Sequence, residues 1–275
     1  MPEPDHTAAT FAANRADAGA RLVYRSGDSI SRLVDLAEWG GYRVKFPDMT
    51  TRAEAVLINT GGGMAGGDAL ALNVSLDPDA ALTFTTQSAE RIYRSVDGPT
   101  RVTVDLSVGA GADLAFIPQE TILYSHARLG RTITANLAED SRLLLAEILV
   151  FGRAASGERM LGGSLHDRWR LRRGGRLVYA DDVRLAGGIS DNLDRAAIGA
   201  GAGATGCVVL ISPDAPDRLD EARQLIDATP CRAAASTWNG ILVIRALGAA
   251  ADVRRTLATA IGGLLRCTLP RVWSL

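Results

Sequence analysis

Leu70-Ala71-Leu72-Asn73-Val74-Ser75-Leu76-Asp77-Pro78-Asp79-Ala80-Ala81-Leu82 is the stretch that sets the fold. Leu70, Leu72, Val74 and Leu76 alternate with small or polar residues, the period-2 pattern of a strand with one face on a core. Asp77-Pro78-Asp79 then supplies turn chemistry, and Leu82 resumes the apolar register. The same bracket returns at Val108 to Leu114 around Gly109-Ala110-Gly111, and at Leu137 to Leu143 around Ala138-Glu139-Asp140. It recurs more loosely at Leu171 to Leu177 around Arg172-Arg173-Gly174-Gly175. Val102, Val104, Leu106 and Val108 lead into the second bracket, and Ile133, Ala135 and Leu137 into the third. Each bracket reads as a hairpin-like unit. Successive units recur after 32, 29 and 34 residues, which points to stacked β layers rather than a single closed barrel. The expected fold is mostly β, a stacked-hairpin, solenoid-like body.

Before this region, Arg21–Arg25, Tyr42–Phe46 and Ala53–Asn59 read as strands, and Ser31–Glu38 as a short turn or helical piece. Pro47-Asp48 closes the second of these strands. After it, Gly187–Gly206 reads as a loop and Cys207–Ile211 as a strand. A helix opens at Asp214 and Pro216, carries Leu219, Ala222, Leu225 and Ile226 on one face, and ends by Pro230. Two strands flank Trp238-Asn239-Gly240, and a last helix from Asp252 places Val253, Leu257, Ile261 and Leu264 at helical spacing. Two C-terminal amphipathic helices therefore pack on the β body and cover one side of it. Residues 1–18, Ala-rich and polar, are expected to form a disordered N-terminal tail, leaving 19–275 as a single β-rich domain.

Composition excludes several classes. A net charge of −1 gives no electrostatic basis for binding nucleic acid or an anionic membrane. The longest uncharged stretch, Ala196–Pro213, is broken by Gly199, Gly201, Gly203 and Gly206 and is no membrane span. Residues 1–18 lack the apolar segment of a signal peptide. Cys207, Cys231 and Cys267 form no CxxC and are odd in number, as in a reducing compartment, so a cytoplasmic location is expected. Lys45 is the only lysine, which removes any GK[ST] phosphate loop and leaves Schiff-base chemistry resting on that one residue.

Few residues carry chemistry. The cluster Gly61-Gly62-Gly63-Met64-Ala65-Gly66-Gly67-Asp68 lacks Gly-x-Gly-x-x-Gly order and leads into a strand, so it reads as a turn needing positive φ rather than a phosphate cradle. Close approach of another chain's backbone, with Asp68 at the rim, is a third reading. Glu147 stands inside the otherwise apolar run Leu143–Phe151, on the parity of Leu145 and Leu149. A carboxylate there needs either an arginine such as Arg153 or a water-filled passage lined by acids. His6, His126 and His166 form no HxxxH or HExxH pair, and the Gly163-Ser164-Leu165-His166 stretch is no nucleophile elbow. Aromatic residues make up 5%, too few for a base- or sugar-stacking platform.

An ordered set of motifs resembles the UreD (also called UreH) family of urease accessory proteins. It comprises Gly62-Gly63-Met64-Ala65-Gly66-Gly67-Asp68; Thr85-Thr86 with Tyr93-Arg94-Ser95; and Pro118-Gln119-Glu120-Thr121 with Ile122-Leu123. Gly152-Arg153-x-x-Ser156-Gly157-Glu158, Arg176-Leu177-Val178-Tyr179 and the ending Leu269-Pro270-Arg271-x-Trp273 follow in order. Where the family usually reads Pro-Gly-(Ala/Ser)-x-Lys-(Phe/Ile)-Tyr-Arg, this chain has Gln87-Ser88-Ala89-Glu90-Arg91-Ile92-Tyr93-Arg94, a divergent loop.

The resemblance implies a non-catalytic, β-solenoid chaperone of urease maturation. Such a protein binds apo-urease, recruits a helical accessory protein (UreF type) and through it a nickel-carrying GTPase (UreG type), for nickel insertion. It implies no tightly bound cofactor and no fixed metal site, only transient nickel passage. Weak oxygen ligands suit a cation that must leave again. Asp68, Glu120, Glu147, Glu158, Asp181 and Asp182 are the candidates for such a path, with His126 as a softer one. Met64, Gly66, Gly67, Glu90, Arg91, Tyr93, Arg94 and Trp273 are candidates for partner binding. Two other readings compete: a β-solenoid enzyme acting on carbohydrate, with Asp181 and Asp182 or Glu158 as acid and base, and a structural repeat protein with no metal role.

Overall fold

In the computed structural model, which describes residues 15–47, 51–153 and 156–274, the alternating segments become strands of two facing sheets. In chain order these are β1 (Asp17–Arg25), β2 (Arg32–Trp39), β3 (Tyr42–Lys45), β4 (Ala53–Asn59), β5 (Ala69–Leu76), β6 (Ala81–Thr86), β7 (Glu90–Ile92), β8 (Thr100–Val108) and β9 (Asp113–Phe116). There follow β10 (Thr121–Leu123), β11 (Arg128–Leu137), β12 (Arg142–Phe151), β13 (Ser164–Arg173), β14 (Arg176–Ala186) and a short helix α1 (Ile189–Asp194). The chain ends with β15 (Ala204–Ile211), α2 (Leu219–Asp227), β16 (Arg232–Trp238), β17 (Ile241–Gly248) and α3 (Ala250–Leu264). The first sheet has the order β14-β13-β11-β8-β5-β1-β2. The second runs β16-β17-β15-β12-β9-β6-β4-β3, with β10 and β7 attached beside one half of β12.

Three of the four brackets are arches between the sheets, not hairpins. β5, β8 and β11 are parallel neighbours in the first sheet, and β6, β9 and β12 in the second. The corners 77–80, 109–112 and 138–141 carry the chain across and stack on one another: the Asp79 amide donates to the Ala110 carbonyl at 2.8 Å and the Ala138 amide to Val108 at 3.0 Å. Strand-turn-strand patterning is common to arch and hairpin; they differ in where the second strand sends its hydrogen bonds. The repeat length is the ladder register itself, since Leu76 pairs with Val108 and Val108 with Leu137, while Leu82 pairs with Leu114 and Leu114 with Leu143. Only the looser fourth bracket is a hairpin, β13–β14, turning on Gly174 and Gly175 at φ 55° and 77°. The expected mostly β, solenoid-like body with C-terminal helices is therefore present, built by parallel stacking.

Other expectations shift. Ser31–Glu38 belongs largely to the edge strand β2, and Gly187–Gly206 contains α1. Residues 1–14 of the expected tail and Asp48 lie outside the described residues, while Asp17 and Ala18 already pair with Ala69 and Leu70.

Two cores lie back to back on the second sheet, which explains why β12 is apolar throughout. Leu143, Leu145, Leu149 and Phe151 face the first sheet, while Leu144, Ala146, Ile148 and Val150 face the helices. α3 contributes Val253, Leu257, Ala260, Ile261 and Leu264, α2 Ala222 and Ile226. Full burial of each large aliphatic side chain is worth about 1.5–3 kcal/mol. Gly206 of β15 lets α3 sit close, since a Cβ there would come within 2.7 Å of Leu257. Among the described residues no helix is long and apolar enough to cross a membrane.

The second sheet is interrupted at one place. Along one edge of β12, Arg142–Leu145 pair with β9 and Leu149–Phe151 with β10, leaving Ala146, Glu147 and Ile148 without a ladder partner on that side. Pro118, which has no N–H to give a ladder, sits in the break, and β6 and β7 part correspondingly at 87–89. The C-terminal segment lies against this break. Trp273 Nε1 donates to the Ile117 carbonyl at 3.1 Å, and Arg254 of α3 donates to Gln119 Oε1 at 2.6 Å and Glu120 Oε1 at 2.7 Å, its guanidinium lying 5.1 Å from the Trp273 ring centre.

Candidate functional site: a polar seam between the sheets

Behind the break, polar side chains intrude on the core between the sheets. Arg131 of β11 and Asp167 of β13 occupy inward positions that alternation would give to apolar residues. They pair bidentately, Nε to Oδ1 at 2.9 Å and Nη2 to Oδ2 at 2.8 Å. Glu147 of β12, 8% exposed, reaches the same guanidinium from the facing sheet. Trp169 Nε1 also donates to Asp167 Oδ2 at 3.1 Å. Two buried carboxylates thus share one cation, which leaves the set with one negative charge in excess. Removing the shared cation would leave both carboxylates buried and uncompensated.

Two cavities meet at Glu147. One, of about 70 Å³, is bounded by apolar residues of β5, β8 and β11 together with Glu90, Gln119, Thr121, Arg131 and Glu147. The other, of about 40 Å³, is bounded by Glu147, Asp167, Asp181, Cys207 and Arg245. Roughly 10–15 Å³ of such volume holds a water, so each accommodates more than one. Gln119 Nε2 on the first lining is buried without a protein acceptor.

Each cavity carries a polar cluster. By the first, Tyr42 Oη donates to Glu90 Oε2 at 2.8 Å, and Asn59 Nδ2 donates to Glu90 Oε1 at 2.8 Å and to Tyr42 Oη at 2.9 Å. Burial raises the Glu90 carboxyl above its usual range, against those hydrogen bonds, and burial with the neighbouring Glu90 charge raises the Tyr42 phenol. By the second, Arg245 donates to Asp181 Oδ2 at 2.6 Å and to Tyr179 Oη at 3.0 Å, and Tyr179 Oη donates to Asp181 Oδ2 at 3.0 Å. Cys207 lies 3.8 Å from Tyr179 Oη, and burial pushes its thiol up to about 11.

The comparisons with known proteins extend over nearly the whole chain. The family model described as UreD urease accessory protein matches residues 16–274. The chain belongs to the UreD family. Among relatives of this family, the urease accessory protein UreD 1 of Methylobacterium radiotolerans is 48% identical, the alignment covering 99% of this chain and 96% of the relative. UreD of Methylobacterium sp. is 45% identical over 99% of this chain and 98% of the relative, and UreD of Rhodopseudomonas palustris 42% over 99% of both.

Against the sequence expectations for a UreD protein, the acidic candidates separate into three groups. Glu147 and Asp181 line the seam. Its ion partner is Arg131, not the Arg153 suggested by sequence proximity. Glu120 lies at the outer side of the break, paired to Arg254. The others serve local structure. Asp68 accepts the Ala16 and Ala65 amides at 2.9 and 2.7 Å, closing the glycine turn, whose Gly62 and Gly67 have φ of 75° and 92°. Glu158 pairs with Arg153 and accepts the Ser125 amide, the Arg153 bond holding its carboxyl below the usual range. His126 is an exposed turn residue at φ 63°.

Asp182 does not face the seam. Neighbouring strand residues point to opposite faces, so Asp181 turns inward and Asp182 outward to His166, Arg168, Arg170 and Arg184. The two cannot act as acid and base on one bond, which argues against the carbohydrate-enzyme reading. Of the partner-surface candidates, Arg91 and Arg94 are exposed and Gly67 and Tyr93 partly so, but Met64, Gly66 and Trp273 are buried and Glu90 turns into the seam. Tyr42, Asn59, Arg131, Asp167 and Arg245 went unmarked as site residues in the sequence, and Tyr179 entered only within the Arg176-Leu177-Val178-Tyr179 motif, although charged residues at inward strand positions were a readable signal for Arg131 and Asp167.

Proposed function

We propose that this chain is a non-catalytic chaperone of urease maturation, acting in the cytoplasm. It docks on apo-urease and on a helical accessory protein of the UreF type, and through that on a nickel-carrying GTPase of the UreG type. Nickel is cargo in this reading, passed along the seam between the sheets toward the immature enzyme. The observation that carries the reading is the meeting of two cavities at Glu147, with carboxylates on both linings. Carboxylate oxygens hold a borderline divalent cation weakly enough to release it. Family membership supports the urease role as a whole. A cation arriving at Glu147 competes with Arg131 for the same carboxylate, so the arginine holds the path shut until the charge is replaced.

The test uses the chain co-expressed with urease and the other accessory proteins. Glu147→Gln combined with Asp181→Asn is expected to leave the chain folded and still co-purifying with urease, while nickel per urease falls. Unchanged nickel content in that variant would remove the route, and failure of the parent chain to co-purify with urease would remove the scaffold role.

A further inference from the structure

The outer face of the first sheet is left open by the helices. The described helices that pack on a sheet do so on the other sheet, and no described element packs on this face. Its outward positions follow the register. Arg101, Gly130, His166 and Arg184 form one row across β8, β11, β13 and β14; Thr103, Thr132, Arg168 and Asp182 form the next; Asp105, Thr134, Arg170 and Ala180 a third. Ser107, Asn136 and Arg172 follow. Toward β5 the face carries Ala69, Ala71, Asn73 and Ser75, and on β1 beyond it Gly19 lies beneath the Trp39 ring while Arg21 pairs with Asp35 of β2. β5 and the middle of β11 thus present short side chains beside a bank of arginines.

The charge on that bank is one-sided. On β13 and β14, Arg168, Arg170, Arg172 and Arg184 stand against Asp182, an excess of three positive charges on a chain whose net charge is −1. Asp182 is the hub: Arg184 Nε and His166 Nε2 lie 2.9 and 3.0 Å from its Oδ1, and Arg168 and Arg170 approach its Oδ2 only at 3.5 Å. One carboxylate therefore gathers three guanidinium groups and an imidazole without saturating the guanidinium donors. Arg172 has no acidic partner among the described residues. Guanidinium forks match carboxylates two oxygens at a time.

We infer that the arginine bank on β13 and β14 is a docking surface for an acidic face of a protein partner, with the short side chains of β5 and the middle of β11 beside it. A nucleic acid is disfavoured, because Asp105 and Asp182 interrupt the path of a phosphate backbone and the bank offers no aromatic side chain for base stacking. The inference is independent of the nickel route, which runs behind the opposite face of the same strands.

The experiment measures binding of the full chain to a labelled poly-glutamate peptide, a poly-serine peptide and an oligothymidylate of matched charge, at low and at moderate salt. Poly-glutamate is expected to bind best and to weaken as salt rises. Arg168→Glu with Arg172→Glu should lower that affinity on the order of tenfold. Asp182→Asn removes the internal competitor and should raise it, a direction that a merely structural Asp182 does not give. If the double variant fails to fold, Arg172→Glu alone, which breaks no ion pair, is expected to weaken binding and decides the matter. The inference is overturned if poly-glutamate does not bind, if the charge-reversed variant binds as well as the parent, or if the oligothymidylate binds more tightly.

Discussion

Arg131 and Asp167 are direct register partners in the parallel pairing of β11 with β13, and their inward side chains close a two-bond fork inside the core. Glu147 completes the set from the facing sheet, so one guanidinium ties the two sheets together through charge. Arg131→Met strands two buried carboxylates at once. The expected cost is about 3–5 kcal/mol of unfolding free energy, as for removal of one partner from a buried pair. Urea unfolding of the variant beside Asp167→Asn, which keeps the Glu147 contact and should cost less, checks the ordering.

Glu90 gives a pH signature of defined sign. Its carboxyl is raised by burial, so the folded chain holds this proton more tightly than the unfolded one. The stability it contributes is complete below the ordinary glutamate range of the unfolded chain and is lost as pH rises through the higher folded value. Glu90→Gln should flatten the stability-against-pH profile above that point, leaving the acid limb to other carboxylates. Denaturation midpoints measured across the range would show the two curves diverging; parallel curves would contradict the assignment.

At Gly206 the close approach of α3 leaves no room for a side chain. Gly206→Val should force the helix off the sheet and cost about 1–3 kcal/mol by overpacking. Leu257→Ala in the same background relieves the clash, so the double variant should be more stable than the two single losses added together. A thermal-melting cycle reads that coupling.

Trp273 is 4% exposed and ties the C-terminal segment to the Ile117 carbonyl. Trp273→Ala should cost about 3–5 kcal/mol. The accompanying sign is local: the amides of Ile117, Gln119, Glu120 and Thr121 and of Ala146–Ile148 should exchange with solvent faster than those of β11, whose ladders to β8 and β13 run without a register shift. Uniform acceleration would mean a global effect instead.

Much of this architecture was legible because the apolar spacing is the ladder register. Leu76, Val108 and Leu137 recur in sequence as they stack in space. Arches were mistaken for hairpins because a corner and a reversal demand the same residues at the bend. β2 was missed because its burial alternates only weakly along an edge. Glu147 stood out as an acid in an apolar run, whereas Arg131 and Asp167 sit among polar outward neighbours and only strand parity betrays them. Glu90 was read as a surface loop residue because inward aim at the end of a three-residue strand has no sequence pattern to announce it.

Parallel stacking also governs how the molecule is made. Every rung joining β5, β8 and β11 links residues some thirty positions apart, so none closes until a whole arch has been synthesised. Only such pairs as β13–β14 and β16–β17 are local enough to zip early. The nascent chain therefore spends a long interval with open edges and an unfilled interior, the interval in which aggregation competes with maturation.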